Sequence, residues 1–286
     1  MSIKEIAIVS GKGGTGKTSL IASMIPYFEN LVMADCDVDA PDLNILLPET
    51  NVFEKDFVGL QRPAIDENLC THCNLCVDHC HFHAISEGPE INLSKCEGCG
   101  VCEFVCPAKA ITMQDYRVGK IFNSVTEFGE MVRARLIPGE ETSGKLVAQV
   151  RSLALDIAKQ KGRDWILIDG SPGIACNVIS SLTGVQKAIV VIEPTVSGLH
   201  DLAKIHQLIS SFSIEILIVI NKADLSQEGL SSIEKYCSDN QLPIVLRIPF
   251  RRSMVEAIVN KCLPSLYDPD FFKEIGFEDF IGIVKS

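Results

Sequence analysis

A chain of 286 residues, 47% of them hydrophobic, is long enough for about two domains with buried cores. Its formal net charge of -11 argues against a general nucleic-acid binder, which must neutralise phosphates, and suits either plain solubility or a basic protein partner. The longest apolar runs, 214–220 and 188–192, are too short to span a bilayer. No basic segment followed by a long apolar core opens the chain, so the reading is a cytoplasmic protein without a membrane anchor.

Residues 3–9 read as a buried strand and 19–28 as a helix. Between them runs Gly11-Lys12-Gly13-Gly14-Thr15-Gly16-Lys17-Thr18, with Ser19 opening the helix. Strand, glycine-rich loop and helix in this order make a phosphate-binding loop. The glycines let successive backbone N–H groups face inward, and the helix N-terminus adds unpaired donors and its positive dipole end. Lys17 is placed for the outer phosphates and the Thr18 hydroxyl for Mg²⁺. Gly13, Gly14, Thr15, Gly16 and Ser19 complete the expected nucleotide cradle.

The apolar run 31–34 reads as a second buried strand, leading into Asp35-Cys36-Asp37-Val38-Asp39 and on to Asp42. Carboxylates at the C-terminal end of a buried strand stand where open α/β sheets bind their ligands, which suits Asp35 and Asp37. Asp39 and Asp42 fit a solvated loop or a helix cap.

From about Arg62 to Asp115 the composition changes. Cys70, Cys73, Cys76 and Cys80 have the spacing CxxCxxCxxxC, and Cys96, Cys99, Cys102 and Cys106 repeat it before Pro107. These are eight of twelve cysteines, and in a chain with no secretory signal such density favours metal ligation over disulfides. Zinc is the rival, but paired CxxC sites leave the third cysteine of CxxCxxC unexplained twice. His72, His79, His81 and His83 stand among the ligands of the first copy, where cysteines already suffice. They tune a metal group through hydrogen bonds or are simply exposed. Cys36 and Cys176 read as packing residues beside nucleotide motifs, and Cys237 and Cys262 as ordinary helix residues.

Residues 133–144 read as a loop leading into a helix over 145–161; its Thr142-Ser143-Gly144-Lys145 is either an anion or partner site or an ordinary helix cap. Residues 164–169 read as a buried strand ending in Asp169, followed by Gly170-Ser171-Pro172-Gly173. Two further strands follow, 188–192 and 214–220, the second running into Asn221-Lys222-Ala223-Asp224. The last strand, from Val245, exits through Pro249 and Phe250, and the apolar, partly acidic 271–284 is expected to pack on the domain.

The loop KGGTGKT, with its early Lys12, resembles the deviant Walker A motif of the MinD, ParA and nitrogenase iron-protein superfamily. The resemblance implies an ATPase in which Lys12 crosses a dimer interface to the other subunit's nucleotide, Lys17 and Lys12 stabilise the transferring phosphoryl group, and Asp37 positions the attacking water. It further implies Mg²⁺ at Thr18, Asp37 and Asp169, with Asp35 close behind, and γ-phosphate sensing by 170–173. Asn221, Lys222, Pro249 and Phe250 would lie beside adenine; NKxD also reads guanine in GTPases, so ATP rests on the Walker A form. The cysteine run resembles the bacterial two-cluster ferredoxin, in which the fourth cysteine of each motif ligates the other cluster. That implies one [4Fe–4S] cluster on Cys70, Cys73, Cys76 and Cys106, and a second on Cys96, Cys99, Cys102 and Cys80.

The expected fold is therefore an α/β P-loop NTPase, a mostly parallel sheet flanked by helices, interrupted by a small α+β ferredoxin-like insert. The expected bounds are 1–61 and 116–286 for the ATPase and 62–115 for the insert. The expected function is Mg-dependent ATP hydrolysis coupled to electron transfer, in a nucleotide-dependent homodimer or a heterodimer with a paralogue. The expected partner is an unidentified redox or iron–sulfur protein, with no nucleic acid. One alternative is an ATP-dependent iron–sulfur assembly protein like the Mrp relatives, whose C-terminal CxxC has no counterpart at Cys237 and Cys262. Another is a partitioning ATPase that uses its clusters as a redox sensor.

Overall fold

The computed structural model describes residues 3–140 and 143–286. Its strands, in chain order, are β1 Lys4–Ser10, β2 Leu31–Asp35, β3 Thr50–Ile65, β4 Ile85–Ser86, β5 Glu90–Ile91, β6 Ile111–Thr126, β7 Gly129–Leu136, β8 Trp165–Pro172, β9 Lys187–Ile192, β10 Glu215–Asn221 and β11 Ile244–Ile248. Nine of them form one sheet in the order β11-β10-β9-β1-β8-β2-β7-β6-β3, and β4 and β5 make a separate antiparallel pair. Every neighbouring pair from β11 through β7 is parallel. Residues 127 and 128 alone join β6 to β7, so that pair is a hairpin and antiparallel.

The mostly parallel α/β sheet flanked by helices is the expected fold class. Its central strands are fully inaccessible along Ala7–Val9 and Leu31–Ala34, which is why they read as continuous apolar runs rather than alternating ones. The chain divides into two compact units, one of Met1–Glu54, Ile121–Arg135 and Ser143–Ser286, the other of Lys55–Lys120 with Leu136–Thr142. The cysteine-rich run lies wholly within the second.

Several features depart from expectation. The helix after the phosphate loop starts at Lys17 and ends at Met24, giving way to a 3₁₀ turn at Ile25–Tyr27, because Pro26 has no N–H for the next helical hydrogen bond. The stretch read as a loop from Arg133 is instead the end of β7. Its charges are buried as pairs: Arg133 forks onto Glu49 at 3.0 and 2.8 Å and lies over the Phe122 ring, and Glu130 takes Lys161 and Arg163. Strand β8 runs past Asp169 to Pro172. Cys237 is a buried helix residue as expected, but Cys262 lies exposed beyond the helix Arg252–Val259.

The helix read from Lys145 begins at Ser143, and Thr142 in the open anion-site reading lies outside the described residues. The C-terminal segment packs as expected, with Phe271, Phe272, Phe277, Phe280 and Val284 in the main core. No described helix is long and apolar enough to cross a membrane.

Candidate functional site: a phosphate loop and two cysteine pockets

The phosphate loop follows β1, and Gly14 and Gly16 hold φ of 80° and 90°, in the left-handed region. Gly16 is sterically required as well, since a Cβ there would meet the Asn221 amide at 2.2 Å. Parallel pairing sets Asp169 of β8 beside both Ile8 of β1 and Asp35 of β2. The Lys17 side chain, 6% exposed, reaches this pair of strand ends: its Nζ lies 2.5 Å from Asp169 Oδ1 and 3.6 Å from Asp37 Oδ2. Burial pulls the Lys17 pKa down, but the charge and hydrogen bond of Asp169, with Asp37 and Asp35 behind it, outweigh burial and raise it.

Asp35 is fully buried and accepts the backbone N–H groups of Asp37 and Leu43 at 3.1 and 3.2 Å. Burial first, and the Asp169 charge second, push its carboxyl well above the usual range. Burial also lifts Asp37 to about 6, with Lys17 opposing and Asp169 and Asp39 adding to the rise. Asp39 and Asp42 are exposed, and Asp42 precedes the helix Leu43–Leu46 without a side-chain cap.

An open cleft of about 1000 Å³ is lined by Gly13 through Ser19 together with Asp37, Asp39 and Asn177. Asp169 is not on its wall but stands behind Lys17, with one carboxylate oxygen buried and unpartnered. An orphaned buried carboxylate oxygen, the Thr18 hydroxyl and the Asp37 carboxylate are hard oxygen donors, the set that suits Mg²⁺. A second cleft, about 560 Å³, is lined by Gly14, Gly16, Ser19, Asn221, Lys222, Pro249 and Phe250. Asn221 donates to the Thr15 carbonyl at 2.7 Å. Asp224 accepts the Phe250 N–H at 2.7 Å.

Lys12 does not line either cleft; its ammonium sits 3.3 Å from Ser197 Oγ and 3.6 Å from Glu193. Glu193 also takes Lys222 at 2.5 Å, so one carboxylate, not singled out from the sequence, holds two of the expected nucleotide lysines. Its place just past β9, at the C-terminal end of a parallel strand, was the available signal.

In the second unit the eight cysteines sort into two pockets of about 350 Å³ each. One is lined by Cys70, Cys73, Cys76 and Cys106, the other by Cys80, Cys96, Cys99 and Cys102. The remaining walls are mostly apolar, with Ile65, Ala108 and Ile111 at the first and Pro63, Phe82, Val101 and Met113 at the second. The backbone repeats itself every 26 positions. His72, Asn74 and His83 take the left-handed conformation in the first half, as Gly98, Gly100 and Lys109 do in the second. The Ala84 N–H donates to Cys80 Sγ and the Ala110 N–H to Cys106 Sγ, both at 3.3 Å.

Burial pushes the Cys76 thiol up and the Cys102 thiol to about 11. Among the described residues no three His, Cys, Asp or Glu side chains converge on a single ion. A four-iron cluster carries its thiolates on separate irons, so four sulfurs round an apolar-walled pocket are the donor set it needs. His72, His79, His81 and His83 are exposed.

Known proteins share the sequence over most of the chain, and they share the fold. The chain is 33% identical over 264 residues to the uncharacterized protein MJ0578 of Methanocaldococcus jannaschii, covering 91% of this chain and 90% of that one. A 53-residue stretch, 18% of the chain, is 38% identical to the pyruvate synthase subunit PorD of Methanothermobacter marburgensis, of which it covers 65%. Among solved structures the fold matches the septum site-determining protein MinD of Pyrococcus horikoshii complexed with Mg-ADP. The TM-score is 0.59 at 19% identity, over 98% of this chain and 93% of that one. The CobQ/CobB/MinD/ParA nucleotide-binding domain model matches residues 6–263, and the chain belongs to that family of P-loop ATPases.

Proposed function

We propose that this protein is a Mg-dependent ATPase whose nucleotide state governs electron transfer through two [4Fe–4S] clusters held by the segment 62–115. The observation that carries the reading is the sorting of the cysteines, in which Cys106 joins the pocket of Cys70, Cys73 and Cys76, and Cys80 joins that of Cys96, Cys99 and Cys102. Such an exchange of the fourth ligand is the pattern of two-cluster ferredoxins.

In the nucleotide cleft, the loop amides of 13–18 cradle the phosphates and Lys17 exchanges its carboxylate partners for the outer phosphate oxygens. Asp37, ionised for the most part above pH 6, accepts a hydrogen bond from water and turns it toward the γ-phosphorus. Mg²⁺, when bound by Thr18, Asp37 and Asp169, neutralises charge on the phosphates. Lys12 lets go of Glu193 and Ser197 and reaches the nucleotide of a second subunit, either another copy or a paralogue. Adenine lies in the second cleft, beside Asn221, Lys222, Pro249 and Phe250. Glu193 keeps Lys222 in place after Lys12 departs.

Protein purified without oxygen is expected to be brown, to carry close to eight irons per chain, and to hydrolyse ATP. Stoichiometric zinc with no iron after anaerobic reconstitution overturns the cluster reading and leaves the ATPase untouched.

A further inference from the structure

The most deeply placed cation of the second unit is Arg62, in β3, with a side chain only 8% exposed. Its guanidinium donates to the backbone carbonyls of Leu93 and Cys96 and to the Glu140 carboxylate at 2.8 Å, and lies 5.4 Å from the Tyr116 ring centre. Its Nε is buried with no acceptor. A buried arginine forked onto two carbonyls is more than a surface ion pair. It carries a full charge into a site where water screens little, and one of its acceptors belongs to a residue of the second cysteine pocket.

The first half of the repeat has no equivalent. Its residue matching Cys96 is Cys70, and among the described residues no arginine donates to the Cys70 carbonyl. The two pockets therefore share a backbone plan and differ in local charge.

We infer that Arg62 and Glu140 act as a pair of positioning residues that set the reduction potential of the cluster bound by Cys80, Cys96, Cys99 and Cys102, making it unlike its neighbour. The inference rests on the two-cluster reading above. Adding an electron makes a cluster more negative, so a nearby buried cation favours the reduced form and a nearby carboxylate opposes it. Donation to the Cys96 carbonyl also polarises the following peptide, whose N–H belongs to the cluster-binding turn. The two members of the pair therefore pull the potential in opposite directions. A purely structural ion pair does not: breaking it from either side disturbs the fold in the same sense.

The test is a potentiometric titration of the full chain followed by EPR, with iron counted in each sample. The midpoint belonging to this cluster is identified as the one lost in Cys99→Ser. Arg62→Gln is expected to lower that midpoint, Glu140→Gln to raise it, and the double variant to return it toward the parent value. The other midpoint stays put in all three. Arg62→Lys, which keeps the charge and loses the fork, is expected to fall between parent and Arg62→Gln. Should Arg62→Gln fail to fold, Glu140→Gln, an isostere that removes only a charge, still decides the matter by the direction of its shift. Eight irons with both midpoints unmoved, or both variants shifting the same way, overturn the inference while the cluster reading stands. Absence of iron in the parent protein overturns both.

Discussion

Lys17 and Asp37 meet in the nucleotide cleft with opposite demands on it. Lys17 holds its charge because Asp169 and Asp37 face it, so Lys17→Ala removes the cation proposed for the outer phosphates. Charge-assisted hydrogen bonds of about 1.5–3 kcal/mol are at stake, and nucleotide affinity measured by calorimetry is expected to fall roughly 10- to 100-fold or more. Asp37 is different, for the fold raises its pKa to about 6 through burial. Between roughly pH 4 and 6 the folded chain holds a proton that the unfolded chain releases, so stability declines as pH rises through that window. Above it the whole cost of the ionised carboxylate is present. Asp37→Asn is therefore expected to melt higher than the parent at pH 7.5 by far-UV circular dichroism, with the gap closing toward pH 4.5. The same variant is expected to bind ATP and hydrolyse it about 10²- to 10⁴-fold more slowly. A parent-like turnover removes Asp37 from the role of positioning water.

At the level of elements, the helix-bearing phosphate loop and the doubled CxxCxxC runs were legible because each needs particular residue types at fixed spacing. Left-handed turns, tight amide cradles and soft thiolates leave little chemical choice. Strand β7 was illegible for the converse reason: Glu130 and Arg133 look like loop residues until Lys161, Arg163 and Glu49, all distant in sequence, neutralise them. The long β3 and β6 escaped notice because much of their length is exposed and carries no clean alternation. Glu193 has a legible place at the end of a parallel strand, but its two lysine partners, Lys12 and Lys222, are distant in sequence and give no local sign of the pairing. The repeat also shows where substitution will hurt. Gly98, with φ of 64°, has the Gln61 carbonyl where a Cβ would stand, 2.5 Å away, whereas Gly88, also at positive φ, faces open space. Gly98→Ala is expected to cost about 1–3 kcal/mol more than Gly88→Ala, read as a lower urea midpoint. Cys73→Ser is expected to halve the iron count near four and to leave ATP affinity unchanged; loss of nucleotide binding in that variant contradicts the separation of the two sites.

At the scale of the whole molecule, the proposed link between the two chemistries has a thermodynamic signature. If ATP shifts a cluster midpoint, reduction must shift ATP affinity by the same free energy, with about 59 mV matching a tenfold change for one electron. Midpoints measured with and without Mg²⁺ and a non-hydrolysable ATP analogue are expected to differ. Equal midpoints, together with equal affinities in oxidised and reduced protein, make the units independent passengers on one chain. The order of the ligands along that chain also sets a timetable. During synthesis the set Cys80, Cys96, Cys99 and Cys102 is complete as soon as Cys102 has emerged, whereas the set begun earlier at Cys70 waits for Cys106. The Lys17–Asp169 pair closes roughly sixty residues later still, about 3–12 s at ordinary elongation rates. On the ribosome, then, the pocket begun second is the first whose four cysteines are all present, and both sets are complete before Asp169 exists to pair with Lys17.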